Sequence, residues 1–494
     1  MKLNKILEGI EYVSNLDPKV LDTIEVDEIT YDSRKSKEGT IFVAIKGETT
    51  DGHKFIDSAY NNGCRIFIIN DNIHLPEDSI KIIVENSRKA LSRASSNFFD
   101  NPSEKISVIG VTGTKGKTTI TNYIKTVLCK SGVNTGVIGT NGVFYNDIEG
   151  KTINTTPESY ELHKIIKDMV NAGVKCVAME VSSGGLMMNR VDDIKFDIGV
   201  YTNLSPDHIG PKEHPTFEDY RECKSRLFSM CKYGVINVDD ENAQYIIDNA
   251  NCEIFTFSIH KKSDLKADNI KLTRDSKSLG ANFDYIEEGK RITNTHISSP
   301  GEFSIYNALS VISVCKYLGI EKEKMLKALS TAQVDGRVEV LPVLPYATVV
   351  VDYAHNGMSL ENVLNTLLMY KPSRLICLFG SVGGRTAIRR KELGDVAAKL
   401  CDVCIITTDN PDDEDPMKII DDIAESFVDS KCEIYKIVDR AKAIEKAMKI
   451  AGDGDMIVIT GKGHEKYQYI NGERVFYDEK GEVIKAAKAL LENK

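Results

Sequence analysis

Residues 106–126 read ISVIGVTGTKGKTTITNYIKT, and this stretch decides the fold of the chain around it. Its apolar start is typical of a β-strand, whereas the apolar residues from Ile120 onward recur at helical spacing. A glycine-rich turn, residues 113–119, joins the two. Glycine lets the backbone approach a phosphate, and the free N–H groups and dipole at a helix N-terminus attract it. The stretch therefore predicts a phosphate-binding turn between a strand and a helix.

Two side chains of this turn suit a nucleotide, because Lys117 supplies a positive charge and Thr118 a hydroxyl for Mg²⁺. The usual pattern has a glycine five residues before Gly116, where this chain has Val111. An ordinary glycine-containing turn is the alternative. The agreement between the strand, the Gly-Lys-Thr-Thr run and the helix favours the phosphate site.

Composition excludes several classes of protein. The 494 residues include 63 Lys and Arg against 73 Asp and Glu, a net charge of −10, which argues against a general binder of nucleic acid or anionic membranes. No apolar run is long enough to span a bilayer, and residues 1–13 do not read as a signal peptide. Eleven cysteines, an odd number, fit reduced thiols in the cytoplasm. The CxxC spacing of Cys401 and Cys404 indicates a buried strand rather than zinc or redox chemistry.

The chain is too long for one hydrophobic core. Short apolar strands alternate with helices, which predicts three α/β domains over residues 1–102, 103–336 and 337–494. Residues 261–295 are polar and alternating, and we expect antiparallel ribbon strands there. Elsewhere the alternation predicts mostly parallel sheets with crossover helices, which bind ligands at the carboxyl ends of their strands.

Polar clusters follow three predicted strands of the second domain, at residues 154–158, 180–184 and 202–208. Glu180 is a reasonable Mg²⁺ ligand, because hard cations take carboxylate oxygens. His208 suits a metal ligand or a general base. Each residue alone has an ordinary reading, as a capping carboxylate or a surface histidine. Their joint placement after successive strands favours a functional site.

A series of motifs runs through the chain in the order GTKGKTT, NTTPE, MEVSSGGL, TNLSPDH, YRECKSRLF, DGRVEV, VDYAHN, TTDNP and GKGHEKYQ. In this order they resemble the Mur ligases, ATP-dependent enzymes that build the peptide of the peptidoglycan precursor. Residues 31–59 resemble the uridine-nucleotide-binding domain of the members that add the third residue (MurE type). The resemblance implies a UDP-binding N-terminal domain, a central P-loop ATPase-like parallel sheet and a C-terminal Rossmann-like domain.

The resemblance also implies a role for particular residues. Those expected to contact ATP are Gly113, Thr114, Lys115, Gly116, Lys117, Thr118, Thr119, Asn307, Arg337 and Asp352. Those expected to hold Mg²⁺ are Thr118, Glu180, His208 and Lys224, with Lys224 in the form of a carbamate. Those expected to be catalytic are Lys117, Glu180, His208 and Lys224. Those expected to contact the UDP-muramoyl dipeptide are Ser33, Thr155, Thr156, Ser182 and Arg190. Those expected to contact the incoming amino acid are Arg385, Asp409, Asn410, Pro411, Asp412, Gly461 and Glu465.

The implied reaction adds the third amino acid to UDP-N-acetylmuramoyl-L-alanyl-D-glutamate through an acyl phosphate. Diaminopimelate-adding members of the family carry the motif Asp-Asn-Pro-Arg, whose arginine binds the second carboxylate of that amino acid. In this chain the motif ends in Asp412 instead of arginine. Two carboxylates about 4 Å apart repel by about 4 kcal/mol at an effective dielectric constant near 20, so L-lysine or another basic diamino acid is favoured. The alternative is a diaminopimelate-adding enzyme, in which Asp412 points into solvent and caps the following helix.

Two further readings differ in class: a folylpolyglutamate-synthetase-like ligase and a non-catalytic paralogue. The N-terminal segment argues against the first. The second is disfavoured by the intact catalytic and metal-binding residues, namely Lys117, Thr118, Glu180, His208 and Lys224. The expected partners are small molecules, namely ATP, the UDP-muramoyl dipeptide and the amino acid. A cytoplasmic monomer is expected.

Overall fold

The computed structural model describes residues 1–47, 50–71, 73–206, 209–210, 213–332, 338–384, 387–463 and 465–492. The chain divides into two compact units. The first comprises Met1–Lys266 with Tyr306–Ala328, and the second comprises Ala267–Ile305 with Leu329–Lys494. The domain boundaries expected from the sequence remain a prediction, and the boundary expected between residues 336 and 337 falls outside the described residues.

The first unit begins with a five-stranded sheet. Its strands are β1 (Val13–Ser14), β2 (Glu28–Thr30), β3 (Thr40–Val43), β4 (Ile66–Ile69) and β5 (Ile80–Ile83), in the order β1-β5-β4-β3-β2. All neighbours are parallel except β1 and β5. The accompanying helices are α1 (Leu3–Ile6), α2 (Pro18–Leu21), α3 (Ile56–Asn61) and α4 (Ser87–Phe98), with 3₁₀ turns at Ser33–Lys35, Gly52–Phe55 and Pro102–Glu104.

A second sheet of the first unit carries the phosphate loop. Its strands are β6 (Ser107–Thr112), β7 (Thr135–Gly139), β8 (Gly142–Tyr145), β9 (Ile148–Gly150), β10 (Cys176–Glu180), β11 (Phe196–Tyr201), β12 (Cys231–Asn237) and β13 (Glu253–Ser258). They lie in the order β13-β12-β11-β6-β10-β7-β8-β9. The helices are α5 (Lys117–Lys130), α6 (Ser159–Asn171), α7 (Ser183–Met187), α8 (Phe217–Ser225), α9 (Leu227–Met230), α10 (Ala243–Asp248), α11 (Glu302–Tyr317) and α12 (Lys322–Leu329).

The second unit contains a ribbon, a six-stranded sheet and a hairpin. The strands are β14 (Leu265–Arg274), β15 (Leu279–Glu287), β16 (Lys290–Ile297), β17 (Glu339–Leu341), β18 (Thr348–Asp352), β19 (Leu375–Phe379), β20 (Val403–Thr407), β21 (Glu433–Ile437), β22 (Met456–Thr460), β23 (Tyr467–Ile470) and β24 (Glu473–Phe476). The helices are α13 (Gly357–Leu368), α14 (Ala387–Leu400), α15 (Pro416–Ala424), α16 (Arg440–Ile450) and α17 (Glu479–Glu492), with a 3₁₀ turn at Glu425–Phe427. The six-stranded sheet has the order β17-β18-β22-β19-β20-β21.

Apolar strands make these sheets into buried layers. Every residue of β7, β10, β18, β19, β20 and β22 is buried, as expected for parallel strands covered by helices on both faces. The α/β prediction is confirmed, and so is the expected antiparallel ribbon, in which β15 pairs with β16. Cys401 and Cys404 are buried at the start of β20, as predicted.

Candidate active site

The phosphate loop lies at the carboxyl end of β6 and leads directly into helix α5. Parallel strands β10 and β11 flank β6 on both sides, so the loop is at the middle of its sheet. Gly116 occupies the N-cap position of α5 with a φ of 88°. The predicted strand–turn–helix unit is confirmed, and it places the helix N-terminus where open α/β sheets bind ligands.

The loop is fixed against the turn that follows β11. A Cβ atom on Gly113 would lie 2.0 Å from Thr202 Oγ1 and 2.9 Å from the Asn203 carbonyl oxygen, and its φ is 144°. The amide of Thr114 donates to that carbonyl oxygen at 2.8 Å, and the amide of Lys115 donates to Asn203 Oδ1 at 3.0 Å. Only glycine therefore fits at position 113.

Two ammonium groups converge on the loop. Lys117 Nζ donates to the Gly113 carbonyl oxygen at 2.8 Å and to that of Thr114 at 3.0 Å. Lys224 Nζ, from helix α8, donates to the same Gly113 oxygen at 3.0 Å. Lys224 is 1% exposed, and its ammonium lies 4.7 Å from the centre of the Tyr220 ring. Two cations on one carbonyl repel each other, and an anion bound beside them relieves that repulsion.

Glu180 ends β10 and lies beside the loop. Its Oε1 accepts from the Thr118 hydroxyl at 3.0 Å and from the Thr140 amide at 2.9 Å. The Thr140 hydroxyl donates to Oε2 at 3.2 Å. Glu180 is 2% exposed, so a carboxylate and a hydroxyl, both hard oxygen donors, are held together next to Lys117. This donor set fits Mg²⁺ bound to a phosphate.

The residues expected to contact the UDP-muramoyl dipeptide lie around the same strand end. The Thr156 hydroxyl donates to the Glu180 carbonyl oxygen at 2.9 Å and lies 3.0 Å from Ser182 Oγ. The hydroxyls of Thr155 and Thr140 are 3.0 Å apart. The structure therefore connects Thr155 to the Glu180 carboxylate through the Thr140 hydroxyl, and it connects Thr156 and Ser182 to the Glu180 backbone.

Arg190 also belongs to this region. Its Nε donates to Glu158 Oε1 at 2.8 Å, and one of its terminal nitrogens donates to the Thr156 carbonyl oxygen at 3.2 Å. Arg88 binds the other Glu158 oxygen at 3.1 Å. Ser33 lies apart from these contacts, buried at the start of a 3₁₀ turn, where Asn62 Nδ2 donates to its carbonyl oxygen at 2.9 Å.

The other expected ATP contacts have different surroundings. Asn307 is buried on α11, and its Oδ1 would lie 3.4 Å from a Cβ atom on Gly116. Asp352 is buried at the end of β18, where its two oxygens accept from the amides of Val338 and Ala354 at 2.7 Å each. Three predicted site residues lie outside the described residues: His208, Arg337 and Arg385.

In the second unit, Lys462 contacts three of the residues expected to bind the amino acid. Its ammonium lies 3.0 Å from Asp409 Oδ1, 2.5 Å from Asn410 Oδ1 and 3.5 Å from Glu465 Oε2. Lys462 is fully buried and Asp409 is 2% exposed. Gly461 has a φ of 111°, and a Cβ there would lie 3.0 Å from Asp409 Oδ2. The carboxyl ends of β20 and β22 are thereby joined by one buried cation.

A buried arginine donates hydrogen bonds to the backbone at these two strand ends. Arg440, the first residue of α16, donates to the carbonyl oxygens of Thr460 at 2.7 Å and Thr408 at 3.2 Å. It also binds both Glu479 oxygens, at 2.6 and 2.7 Å. Burial disfavours its charge, but the Glu479 carboxylate outweighs that effect and raises the pKa of Arg440. The residues just before Asp409 and Gly461 are therefore held by one guanidinium group.

Asp412 lies between the strand end and the β23–β24 hairpin. Its φ is 53°, its amide donates to the Tyr469 carbonyl oxygen at 3.0 Å, and its carbonyl oxygen accepts from the Asn471 amide at 2.7 Å. Helix α15 is capped by Asp415, whose side chain accepts from the Met417 amide. The alternative role for Asp412 as the cap of that helix is therefore wrong, because the chain makes a separate turn before the helix begins.

The loop around Pro411 is anchored to the start of helix α14. A Cβ on Gly383 would lie 1.8 Å from the Pro411 carbonyl oxygen, so the two backbones touch. Arg390 binds Glu414 at 2.5 and 2.8 Å and Asp422 at 2.7 Å. The hydrogen bond from Arg390 holds the pKa of Glu414 at about 2. These contacts fix the loop that carries the predicted amino-acid residues.

One further group of metal-ligating side chains occurs in the described part of the chain: Asp51, His53 and Asp71. His53 Nδ1 lies 2.6 Å from Asp51 Oδ1, and the Asn70 amide donates to Nε2 at 3.3 Å. Both ring nitrogens are therefore already engaged, and this group is explained as part of a turn.

Four residues that contribute to the sites were not singled out from the sequence: Thr140, Arg390, Arg440 and Lys462. A weak signal existed for Lys462, which stands between two glycines directly after a strand. Arg440 carries no such signal, because its partner Glu479 is 39 residues away.

The chain matches three family domains, described as the Mur ligase family catalytic domain at residues 25–99, the Mur ligase middle domain at residues 111–315 and the Mur ligase glutamate ligase domain at residues 336–463. No helix among the described residues is long and apolar enough to cross a membrane.

Two relatives and one solved structure are similar over nearly the full length. The relatives, from Clostridium perfringens and Clostridium tetani, are 40% and 41% identical over 97% and 98% of this chain and 98% and 99% of theirs. Both are named UDP-N-acetylmuramoyl-L-alanyl-D-glutamate–2,6-diaminopimelate ligase. A solved structure of a ligase of that name is 28% identical with a TM-score of 0.76, covering 99% of both chains. These names fit the diaminopimelate alternative better than the L-lysine prediction. The chain belongs to the Mur ligase family of ATP-dependent ligases.

Proposed function

We propose that this protein joins 2,6-diaminopimelate to UDP-N-acetylmuramoyl-L-alanyl-D-glutamate at the expense of ATP. The observation that carries the ATP-dependent part is the convergence of Lys117 and Lys224 on the Gly113 carbonyl oxygen beside the N-terminus of α5. The names of the two clostridial relatives support the choice of both substrates. The protein acts as a cytoplasmic monomer.

The first step is phosphoryl transfer. A carboxylate oxygen of the D-glutamyl residue attacks the γ-phosphorus of ATP, the bond to the β,γ-bridging oxygen breaks, and ADP leaves with that electron pair. Negative charge spreads over the transferred group, and Lys117 together with the loop amides stabilises it. Thr155, Thr156, Ser182, Arg190 and Ser33 hold the UDP-muramoyl dipeptide.

The second step forms the amide. The neutral amine of the amino acid attacks the acyl carbon, a tetrahedral intermediate forms, and phosphate leaves as the amine loses a proton. Asp409, Asn410 and Glu465 orient the amino acid, since Lys462 holds all three at one place. No protein nucleophile takes part, so the barrier is lowered mainly by alignment of the reactants.

The residues present fit a divalent cation. Thr118 and Glu180 would hold Mg²⁺, with His208 and a carbamate on Lys224 as the further expected ligands. Carbamylation would turn the buried ammonium of Lys224 into an anion, which removes its repulsion towards a metal. Mg²⁺ would neutralise phosphate charge during transfer.

Phosphate release tests this proposal. The purified protein is supplied with Mg²⁺-ATP, UDP-N-acetylmuramoyl-L-alanyl-D-glutamate and, in separate reactions, meso-diaminopimelate, L-lysine or L-ornithine. We expect release with diaminopimelate and formation of the UDP-muramoyl tripeptide by mass spectrometry. Higher turnover with L-lysine would refute the assigned amino acid.

Two controls address the remaining readings. The Lys117→Met variant has an unbranched side chain only one atom shorter and without the charge, and we expect it to fold normally and release no phosphate. Turnover with folate and glutamate in place of the muramoyl substrate would support a folylpolyglutamate-synthetase-like ligase. ATP binding without phosphate release in any reaction would support a non-catalytic paralogue.

A further inference from the structure

The β23–β24 hairpin is bonded directly to the loop that carries Asp409 and Asn410. Gln468 Nε2 donates to the Asp409 carbonyl oxygen at 2.8 Å, and the Tyr469 amide donates to Asn410 Oδ1 at 3.0 Å. With the backbone bonds of Asp412 to Tyr469 and Asn471, these contacts make the hairpin one wall of the amino-acid site.

The proposed substrate brings a second negative charge into this site, and the following inference rests on that proposed function. 2,6-Diaminopimelate carries a second carboxylate at the far end of its carbon chain. Residues 412–415 of the neighbouring loop are all acidic. Because like charges repel, the second carboxylate needs a cation from another element.

Three buried cations near the loop are already committed to carboxylates. Lys462 lies against Asp409 and Glu465. Arg390 binds Glu414 and Asp422, and Arg440 binds Glu479. Each of these pairs is structural, because removing the cation would leave a carboxylate without its counter-charge.

Arg474 of β24 differs from these three. It is exposed, and its guanidinium carbon lies 3.9 Å from the centre of the Tyr467 ring. The Tyr467 hydroxyl in turn donates to Glu465 Oε1 at 3.3 Å, and Arg474 pairs across the hairpin with Tyr469. The ring therefore holds a planar cation next to a residue expected to bind the amino acid.

We infer that Arg474 binds the second carboxylate of diaminopimelate and so determines which amino acid is added. A guanidinium group stacked on an aromatic ring keeps its N–H edge open, and that edge matches a carboxylate with two parallel hydrogen bonds. Arg474 thereby offsets the negative charge of the neighbouring loop.

A comparison of two substrates with several variants tests this inference. L-Lysine has the carbon chain and both amino groups of diaminopimelate but lacks the second carboxylate. It is therefore a substrate without the group that Arg474 is inferred to bind. We expect Arg474→Ala to lower the ratio of kcat/KM for meso-diaminopimelate to that for L-lysine about tenfold to a hundredfold, as for the loss of a charged hydrogen bond. Arg474→Glu should lower the ratio further, and Arg474→Lys should lower it less.

A matched control is Lys446→Ala, which removes a cation 4.1 Å from the ring centre of Tyr435 on the edge strand β21. It should leave the ratio unchanged. An unchanged ratio in all three Arg474 variants, with diaminopimelate still used by the unaltered protein, overturns this inference alone. An unaltered protein that uses L-lysine and not diaminopimelate overturns both this inference and the proposed function.

Discussion

His163 makes the stability of the first unit sensitive to acid. It lies on helix α6 with no exposed surface, and neither ring nitrogen has a hydrogen-bond partner. Burial, and secondarily the positive charge of Arg93, lower the pKa of His163 to about 3. An unfolded histidine has a pKa of about 6.5, so the unfolded chain binds the extra proton between these two values.

The stability that depends on neutral His163 is therefore present above about pH 6.5 and is lost as the pH falls towards 3. Between pH 7.5 and 5.0 the two pKa values predict a loss of about 2 kcal/mol. With an unfolding entropy of about 2.1 cal/mol/K per residue, a unit of this size would lose about 3 °C in Tm. His163→Leu, which has a similar volume and no titrating group, should lack this part of the pH dependence.

Thermal unfolding followed by circular dichroism at pH 7.5 and 5.0 measures the effect. Other groups also titrate in this range, so the difference between the wild-type protein and His163→Leu is the relevant quantity. His74→Gln, at an exposed histidine, is the matched control and should behave as wild type. Equal losses of Tm in the wild-type protein and His163→Leu would refute the reasoning.

Three other substitutions have clear expected results. Gly113→Ala should abolish ATP binding in calorimetry, because its Cβ would clash with Thr202 at a φ of 144°; wild-type affinity would contradict this. Arg440→Gln should lower the free energy of unfolding in urea by about 3–5 kcal/mol, since it leaves Glu479 buried without its partner, and adding Glu479→Leu should recover part of that loss. Lys462→Met should raise KM for the amino acid at least tenfold in the phosphate assay while leaving KM for ATP within twofold, and equal changes in both would argue against its role.

The central sheet was predictable because its signals are local. Apolar strands, the glycine turn at residues 113–116 and helical spacing after it all lie within one short stretch, and Glu180 follows from its place at a neighbouring strand end. Parallel pairing then brings these residues together without further information. The prediction of amino-acid-binding residues around Asp409 and Gly461 depended on the family resemblance. In the structure, the ammonium group of Lys462 brings these residues together.

The parts that were not predicted depend on partners distant in sequence or on a short turn signal. Arg440 and Glu479 look like ordinary surface residues until the fold buries them together. The β23–β24 hairpin carries a signal in the sequence, because an Asn-Gly pair between two alternating runs favours a tight turn that needs positive φ at both residues. The structure has this turn, with φ values of 52° at Asn471 and 74° at Gly472. Arg474 was not predicted as a site residue either, because only this hairpin brings it near Glu465.

The pairing of Arg440 with Glu479 has a consequence for how the protein is made. Glu479 begins α17, which follows every other described element in the chain, so the ribosome delivers it after both strands whose ends it helps to hold. Synthesis at about 5–20 residues per second lets earlier segments fold first. A nascent chain that stops before residue 479 would hold Arg440 as an uncompensated buried charge. Ribosome stalling between residues 440 and 479 should therefore yield a product that cellular proteases remove rather than a partly active ligase.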